Sequence, residues 1–276
     1  MATLTCDPLT EIARRVEERH GVDFRCYKPR VLNRRLQSRV RALGLPDLEA
    51  YLRHLDTDPQ EVERLFQALA INFSFFYRDR ELFRLLGKRV LPDLVKRFPD
   101  GPLRVWSAGC AAGEELYSLA ILAHETLPPA ECQRLELLGT DIDEHSLEEG
   151  RSGRYPRSRV AFLDNPLIGK YFHSVAAGGE LQIIEALRMQ AEFRRADLMG
   201  PAPYRKCSLV CCRNVMIYLQ PKHQETILLR LAEALRPGGV LVLGRVERLH
   251  RRFRDWFETV DTAERVYRRL STGSKY

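Results

Sequence analysis

Long apolar runs are missing from this sequence of 276 residues, and several other patterns are missing with them. No run approaches the ~20 apolar residues needed to cross a bilayer. The first residues, MATLTCDPLTEIARR, lack the basic-then-apolar order of a secretion signal. The seven cysteines include no CxxC pair, which argues against a zinc site and against a disulfide framework. We therefore expect a cytoplasmic protein with no direct membrane insertion and no bound metal.

Acidic residues are missing from one arginine-rich stretch, in a chain whose net charge is +7. The segment from Arg30 to Leu43 has the period of an amphipathic helix, with Arg30, Arg34 and Arg41 opposite its apolar stripe. Many such faces are simply solvated. A face of one sign also suits an acidic partner, which could be nucleic acid or an acidic protein helix.

The apolar periodicity changes along the chain. Residues 1 to about 70 show helical spacing only and predict a small all-α domain. Strand-like and helical segments then alternate, which predicts an α/β sheet closed by an antiparallel pair near the C-terminus. The alternation stops between 151 and 192, where we expect a small antiparallel insert around a Gly178-Gly179 turn. A turn is also expected at Arg236-Pro237-Gly238-Gly239, before the strand Val240-Leu243.

The chain is organised around LRVWSAGCAAGEELYS (103–118), which has the order strand, small-residue turn and helix. Missing side chains in such a turn let a ligand approach the backbone. The next strand ends at Asp141, where folds of this kind bind ribose hydroxyls, although a helix cap is the alternative role. The spaced G-x-G-x-x-G that cradles a pyrophosphate is absent. A nucleoside without phosphates therefore fits best, and S-adenosylmethionine is the commonest of these.

Four aromatic residues stand among short polar ones in INFSFFYRD (71–79). The segment could be a linker packed on the core. It could also fold over a ligand and offer it aromatic walls.

Several motifs in this order resemble those of the CheR family, the chemotaxis-receptor methyltransferases that esterify glutamates. They are NFSFFYRD (72–79), VWSAGCAAGEELYSLA (105–120), GTDID (139–143), CRNVMIYL (212–219) and LRPGGVLVLG (235–244). The resemblance covers nearly the whole chain. It implies a Rossmann-like S-adenosylmethionine-dependent methyltransferase sheet with a small antiparallel β subdomain insert, plus an all-α N-terminal domain.

Domain boundaries follow from the periodicity and the resemblance together. We expect a basic, acceptor-docking helical domain at 1–70 and a linker and cofactor-covering segment at 71–90. The methyltransferase domain then spans 91–276, with the β subdomain inserted at about 152–190.

The resemblance also implies cofactor contacts at the positions that match the family's motifs. They are Asn72, Ser74 and Arg78 in the covering segment, Glu114 after the small-residue turn, Asp141 at the ribose, Asp197 and Leu198 beside the adenine, and Arg213 and Asn214 after the fourth strand. Four features depart from the family: Ser74 stands where Thr is common, Ala111-Ala112 replaces Ser-Thr, Leu116 replaces Pro, and GRVE (244–247) replaces Gly-His-Ser-Glu. The product of the implied reaction is S-adenosylhomocysteine.

A glutamate acceptor is already ionised at neutral pH, because its unperturbed pKa is about 4.3. The catalytic residues to expect are therefore positioners. Arg213 and Tyr218 could orient the acceptor, although Tyr218 could equally be a packed aromatic. The implied partner is the cytoplasmic helical domain of methyl-accepting chemotaxis receptors, with no nucleic acid bound, and we expect a monomer.

Two other functions stay open. A nucleic-acid methyltransferase would use the arginine-rich helix on phosphates, but the D/N-P-P-Y signature of amino-methylating enzymes is absent. A non-catalytic S-adenosylmethionine-binding signalling module is favoured only by the altered GRVE stretch.

Overall fold

The computed structural model describes residues 7–70, 72–175 and 179–271, and the chain divides into two compact units. The first unit holds the chain up to Asn72 together with Tyr218–Gln224. The second unit holds Phe73–Ile217 and the residues from Glu225 onward. In the part of the chain that the structure describes, no helix is both long and apolar enough to cross a bilayer.

The first unit is built from amphipathic helices, which confirms the expected all-α N-terminal domain. A proline is the first residue of three of them, where its missing N–H has no intrahelical partner to lose. Asp47 caps another by accepting the backbone N–H of Ala50 at 2.7 Å. The helices are α1 (Pro8–His20), α2 (Pro29–Ala42), α3 (Leu48–Thr57) and α4 (Pro59–Ala70).

A buried carboxylate ties three of these helices together. Glu61 of α4 is fully buried, and its oxygens lie 2.8 and 2.7 Å from Nε and Nη2 of Arg39 on α2. The hydroxyl of Tyr51 on α3 donates to the same carboxylate at 2.8 Å. Glu61 also groups with His54 and Asp58 at metal-like spacing, but Arg39 and Arg64 already pair with the two carboxylates. A cation would have to displace those arginines.

The first unit is discontinuous in sequence. The backbone N–H of Lys28 donates to the carbonyl of Tyr218 at 2.8 Å, and the N–H of Gln220 donates to the carbonyl of Cys26 at 2.9 Å. Tyr27 and Leu219 form an antiparallel bridge between these bonds. Backbone pairing thus makes Tyr218–Gln224 a part of the helical unit.

Ten strands, all in the second unit, are found among the described residues. They are β1 (Leu103–Ala108), β2 (Leu135–Asp141), β3 (Arg154–Pro156), β4 (Phe172–Ser174), β5 (Glu180–Ile183), β6 (Ala191–Arg195), β7 (Cys207–Cys212), β8 (Leu235–Leu243), β9 (Phe257–Asp261) and β10 (Val266–Arg269). Seven form a sheet in the order β6-β2-β1-β7-β8-β10-β9, in which all pairs are parallel except those of β10, which is antiparallel to both β8 and β9. The central strands are almost wholly buried, as apolar parallel strands between helices should be.

The remaining helices lie in the second unit, except that residues 221–224, at the start of the last helix, belong to the first unit. They are α5 (Arg80–Leu85), α6 (Leu91–Arg97), α7 (Glu114–Thr126), α8 (Pro129–Cys132), α9 (Glu144–Ser152), α10 (Arg157–Val160), α11 (Asn165–Tyr171), α12 (Glu185–Gln190) and α13 (Pro221–Ala234). A π-helical turn, Leu86–Val90, joins α5 to α6. The α/β alternation and the fold class expected from the sequence are confirmed.

The inserted element is a separate antiparallel sheet in the order β3-β5-β4. Two of its strands, β4 and β5, flank the expected Gly178-Gly179 turn. Gly178 lies outside the described residues, and Gly179 has a left-handed φ of 74°.

The prediction of a turn at 236–239 is wrong. The whole segment belongs to β8, which starts at Leu235 and pairs with β7 from Cys207. The register shifts between Cys207 and Leu209, and Gly238 has a φ of 81°. A bulge in the strand therefore absorbs Pro237 and the glycines, where the sequence pattern indicated a loop.

Candidate functional site

The small-residue turn after β1 is held by the carboxylate at the end of β2. Asp141 Oδ2 accepts the backbone N–H of Ala111 at 2.8 Å, and Oδ1 accepts that of Asp143 at 3.1 Å. Ala111 has a φ of 49°, which is unfavourable for a residue with a side chain. Asp141 thus fixes the shape of the turn as well as facing the carboxyl edge of the sheet.

Helix capping at this position is done by Asp143, whose side chain accepts the N–H of His145 at 3.2 Å. Asp141 is free of that task. Burial raises the pKa of Asp141 to about 6, against the opposing effect of the N–H groups that it accepts. A ligand hydroxyl that donates to Asp141 would favour its ionised form.

Glu114, the first residue of α7, is fully buried directly after the turn. Its Oε1 lies 2.9 Å from Nη1 of Arg159 on α10, while its Oε2 has no hydrogen-bond partner. Burial raises the pKa of this carboxyl. A buried oxygen without a hydrogen bond destabilises the folded protein unless a ligand supplies a hydrogen-bond donor.

Asn214, just after β7, has a left-handed φ of 59° and a buried Oδ1 without a hydrogen-bond partner. Its backbone N–H donates to Oε2 of Glu247 at 2.9 Å. Gly244 N–H donates to the same oxygen at 2.7 Å, and Val215 and Ile217 donate to Oε1 at 3.1 and 3.3 Å. Glu247 therefore braces the turn after β7 against the end of β8.

The sequence patterns did not predict this role of Glu247. Glu247 is the last position of the altered GRVE stretch (244–247). The available signal was an acidic residue shortly after a buried strand, and this pattern is common. Nothing local in the sequence shows that four N–H groups converge on Glu247, because three of the four donors lie 30 to 33 residues away in the chain.

Arg213, at the end of β7, is buried in a network of ion pairs. Its Nη1 lies 2.9 Å from Oε2 of Glu115, its Nη2 pairs with Asp79, and Nη2 also donates to the carbonyl of Arg78 at 2.9 Å. The side chain is only 4% exposed. These contacts make Arg213 a support for the segment around Arg78, and its catalytic role stays a prediction.

The covering segment holds Ser74 and Arg78, which are both partly buried. Arg78 Nη1 donates to the carbonyl of Phe73 at 3.2 Å, and its guanidinium lies 5.7 Å from the ring centre of Phe75. No carboxylate among the described residues pairs with Arg78. Phe76 is fully buried in the core, so the segment is packed and also presents a cation without an ion-pair partner.

Asp197 and Leu198 follow β6, next to Asp141 across the sheet. The N–H of Ala196 donates to the carbonyl of Asp141 at 2.9 Å. The Asp197 carboxylate accepts the N–H of Met199 at 2.8 Å. Asp197 and Leu198 also line a narrow pocket with Trp106 of β1.

The other expected site residues belong to the first unit. Asn72 and Tyr218 are both partly buried. Arg30, Arg34 and Arg41 are exposed on α2, while its stripe of Val31, Leu32, Leu36 and Val40 is buried. No ion pair to these three arginines is found in the described ranges.

The polar side chains of the second unit, three acceptors and one cation, fit the groups of S-adenosylmethionine. The two orphaned oxygens, on Glu114 and Asn214, can accept from ammonium or amino groups. Asp141 can accept from hydroxyls, and Arg78 can pair with a carboxylate. The structure brings these side chains to strand ends and flanking segments of the second unit.

Comparison with known families gives two matches that together span most of the chain. Residues 72–266 match the family model described as "CheR methyltransferase, SAM binding domain". Residues 7–70 match the model described as "CheR methyltransferase, all-alpha domain".

Individual relatives are similar over most of this chain. An uncharacterized 104.1 kDa protein of Rhodobacter capsulatus is 33% identical over 92% of this chain, which spans only 26% of that protein. Chemotaxis protein methyltransferase 2 of Pseudomonas aeruginosa is 32% identical over 88% of this chain and 87% of its own length. Among solved structures, PKMT2 from Rickettsia typhi in complex with AdoHcy is 19% identical over 62% of this chain and 26% of that chain, with a TM-score of 0.35. A likeness of that size supports no conclusion about function.

Proposed function

Because the chain belongs to the CheR methyltransferase family, we propose that it methylates glutamate side chains of chemotaxis receptors to give glutamate methyl esters. The chain is an S-adenosylmethionine-dependent methyltransferase. The finer proposal, a glutamate carboxylate as acceptor, accords with relatives named chemotaxis protein methyltransferases.

The observation that carries the acceptor proposal is the unpaired basic face of α2. Arg30, Arg34 and Arg41 are exposed, and no carboxylate of the described chain pairs with them. A helical surface dense in glutamates is the acceptor that such a face would attract. Esterification removes negative charge from that surface, which should weaken the attraction and favour product release.

The chemistry needs no catalytic base from this chain. When bound, S-adenosylmethionine would supply a methyl group on a positively charged sulfur. An ionised carboxylate oxygen can bond to that methyl carbon directly, while the carbon–sulfur bond breaks and S-adenosylhomocysteine leaves. The protein has to hold the reactants in line and exclude water, and such positioning can supply roughly 7–11 kcal/mol of the barrier. Asp141, Glu114, Asn214 and Arg78 would hold the cofactor, while Arg213 and Glu247 keep the surrounding segments in place.

The roles of the domains, the partner, the cellular compartment and the oligomeric state are also proposals. We propose that residues 1–70 dock the acceptor, that 71–90 cover the cofactor, and that 91–276 carry methyl transfer. The partner would be the cytoplasmic helical domain of a methyl-accepting receptor. The protein would act in the cytoplasm as a monomer, without nucleic acid.

The test is a transfer assay with labelled S-adenosylmethionine and receptor cytoplasmic fragments. We expect label on the fragment that base treatment releases, as methyl esters require. A matched fragment with its glutamates replaced by glutamine should take up no label. Label on added nucleic acid, or none on any acceptor despite cofactor binding, would instead support one of the two alternatives left open by the sequence.

A further inference from the structure

Arg245 is the outermost member of a chain of ion pairs that ends on the covering segment. Its guanidinium lies 2.7 and 3.1 Å from the two carboxylate oxygens of Glu264, and its Nη1 lies 3.8 Å from Oδ1 of Asp79. Asp79 pairs through its other oxygen with Arg213. We propose that Arg245, oriented by Glu264, is a positioning residue that acts through Asp79 to hold Arg78 ready for the cofactor. This inference rests on the proposed function for its link to methyl transfer.

The segment before α5 needs such external support because its backbone is unfavourable. Tyr77 and Asp79 have φ values of 52° and 68°, in the region that disfavours residues with a β-carbon. Asp79 stands at the start of α5, but its side chain makes no capping hydrogen bond. Its carboxylate is turned instead toward the two arginines. The conformation on either side of Arg78 is therefore maintained by contacts from outside the segment.

The supports are of two kinds. The inner contacts are buried: Arg213 is 4% exposed, and the N–H of Tyr77 donates to Oγ of Ser118 at 3.0 Å. The outer contact is open to solvent, because the Arg245 side chain is 47% exposed and that of Asp79 is 24% exposed. Salt screens exposed pairs and affects buried ones much less. The outer contact should thus make cofactor affinity sensitive to salt.

Glu264 gives the outer contact its orientation. It lies in the turn between β9 and β10, is nearly buried, and its N–H donates to Oδ1 of Asp261 at 2.9 Å. The loop that carries Arg245 is fixed as well, since the carbonyl of Arg245 accepts from Nε of Arg265 at 3.2 Å. Arg245 is therefore a prearranged side chain at the end of β8 and not a free surface cation.

The experiment measures the affinity of the full-length protein for S-adenosylhomocysteine by calorimetry at low and at high salt. Arg245→Met should bind two- to fivefold more weakly at low salt, as expected for an exposed pair. The difference should vanish at about 0.5 M salt, where charges beyond a few ångströms are screened. Arg245→Lys, which keeps the charge, should restore most of the affinity. Arg248→Met, a change at an exposed arginine of the same loop, is the matched control and should bind like the wild type.

Glu264→Gln provides a second, independent variant. It should weaken binding about as much as Arg245→Met, and the double variant should be no weaker than either single one. An Arg245→Met protein with wild-type affinity at low salt, or with a loss that Lys does not rescue, would overturn the proposal. If wild type binds but forms no methyl ester on receptor fragments, the proposed acceptor fails while the positioning role can still stand.

Discussion

The side chain of Glu247 and the backbone of Asn214 are joined by a hydrogen bond of 2.9 Å that ties the end of β7 to the end of β8. Gly244 permits this approach, because a β-carbon at that position would lie 2.7 Å from Oε2 of Glu247 and 3.0 Å from the Asn214 nitrogen. The bond holds Asn214 in a left-handed conformation with its Oδ1 unpartnered. The geometry of a proposed cofactor contact therefore depends on a residue that is not among the proposed contacts.

Replacing Glu247 by glutamine should destabilise the protein. Each carboxylate oxygen accepts two backbone N–H groups, so whichever oxygen becomes NH2 faces two donors. Leaving such buried groups unsatisfied costs about 1–3 kcal/mol. Urea denaturation should show this loss, and Glu258→Gln, at a side chain that is 63% exposed, is the control. Equal stability of the two variants would mean that the turn does not need the carboxylate.

Asp141→Asn should weaken the binding of S-adenosylhomocysteine. We expect Asp141 to accept hydroxyl hydrogen bonds from the ribose, and bonds to a charged group contribute about 1.5–3 kcal/mol each. Loss of the charge should raise the dissociation constant at least tenfold, as measured by calorimetry. An unchanged affinity would remove Asp141 from the cofactor site and leave it only its role in shaping the turn.

The raised pKa of Asp141 predicts a specific dependence of stability on pH. Burial brings the pKa in the folded protein to about 6 from an ordinary value of 3.8, so the folded state binds this proton more tightly than the unfolded state. The stabilisation is complete below the unfolded value and is lost as the pH rises through 6. The Asp141→Asn variant has no carboxyl group at this position and therefore lacks this pH-dependent stabilisation at every pH. From about pH 4.5 to about pH 7.5, the wild type should lose about 2 kcal/mol relative to this variant in urea denaturation of the cofactor-free proteins. A constant difference would show that the carboxyl titrates normally.

Arg78→Lys should impair cofactor binding without impairing folding. A guanidinium can pair with the methionine carboxylate through two parallel bonds, and an ammonium group cannot copy that geometry. The apo protein should melt at nearly the wild-type temperature, because Arg78 contributes one hydrogen bond, to the carbonyl of Phe73, and a ring contact with Phe75 that lysine can also make. Lost stability with intact binding would make Arg78 a structural part of the segment only.

Reversing the charge of Arg30, Arg34 and Arg41 together should strongly reduce receptor methylation at low salt. Each exposed pair contributes only about 0.2–1 kcal/mol, so single reversals should do little. The loss should lie in the apparent affinity for the acceptor and shrink as salt is added. Affinity for S-adenosylhomocysteine should be unchanged.

The control for this prediction reverses Lys96, Arg205 and Lys206, which are exposed cations of the second unit outside the covering segment. That protein has the same change in net charge but should methylate receptor fragments normally. Equal losses in both proteins would point to net charge. Normal methylation by the α2 variant would mean that the acceptor is held elsewhere.

The sequence predicted most of the fold because its signals are local. Helix α2 was expected from Arg30 and begins at Pro29, and the strand that ends at Asp141 was expected there. The turn at Arg236–Gly239 was wrong because glycine and proline mark bulges as well as loops, and only pairing with β7 distinguishes them.

Individual residues of the candidate site could be predicted from the sequence, but the ion pairs and hydrogen bonds between them could not. Motifs drew attention to Arg213, Asp141 and Glu114 as separate positions. They could not show that Arg213 is engaged by Asp79 and Glu115, which lie far from it in the sequence. Ion-pair networks depend on the tertiary fold, and a single sequence carries no local signal for them.

The pairing of Tyr218–Gln224 with the backbone of Cys26–Lys28 has a consequence for anyone who builds chimeras. A gene fragment that stops at position 72 leaves out part of the helical unit, and the N–H of Lys28 and the carbonyl of Cys26 then lose their partners. An exchange of the N-terminal helical domain between relatives must therefore carry residues 218–224 with it. A cut that looks like a domain boundary in the sequence divides one folding module into two pieces.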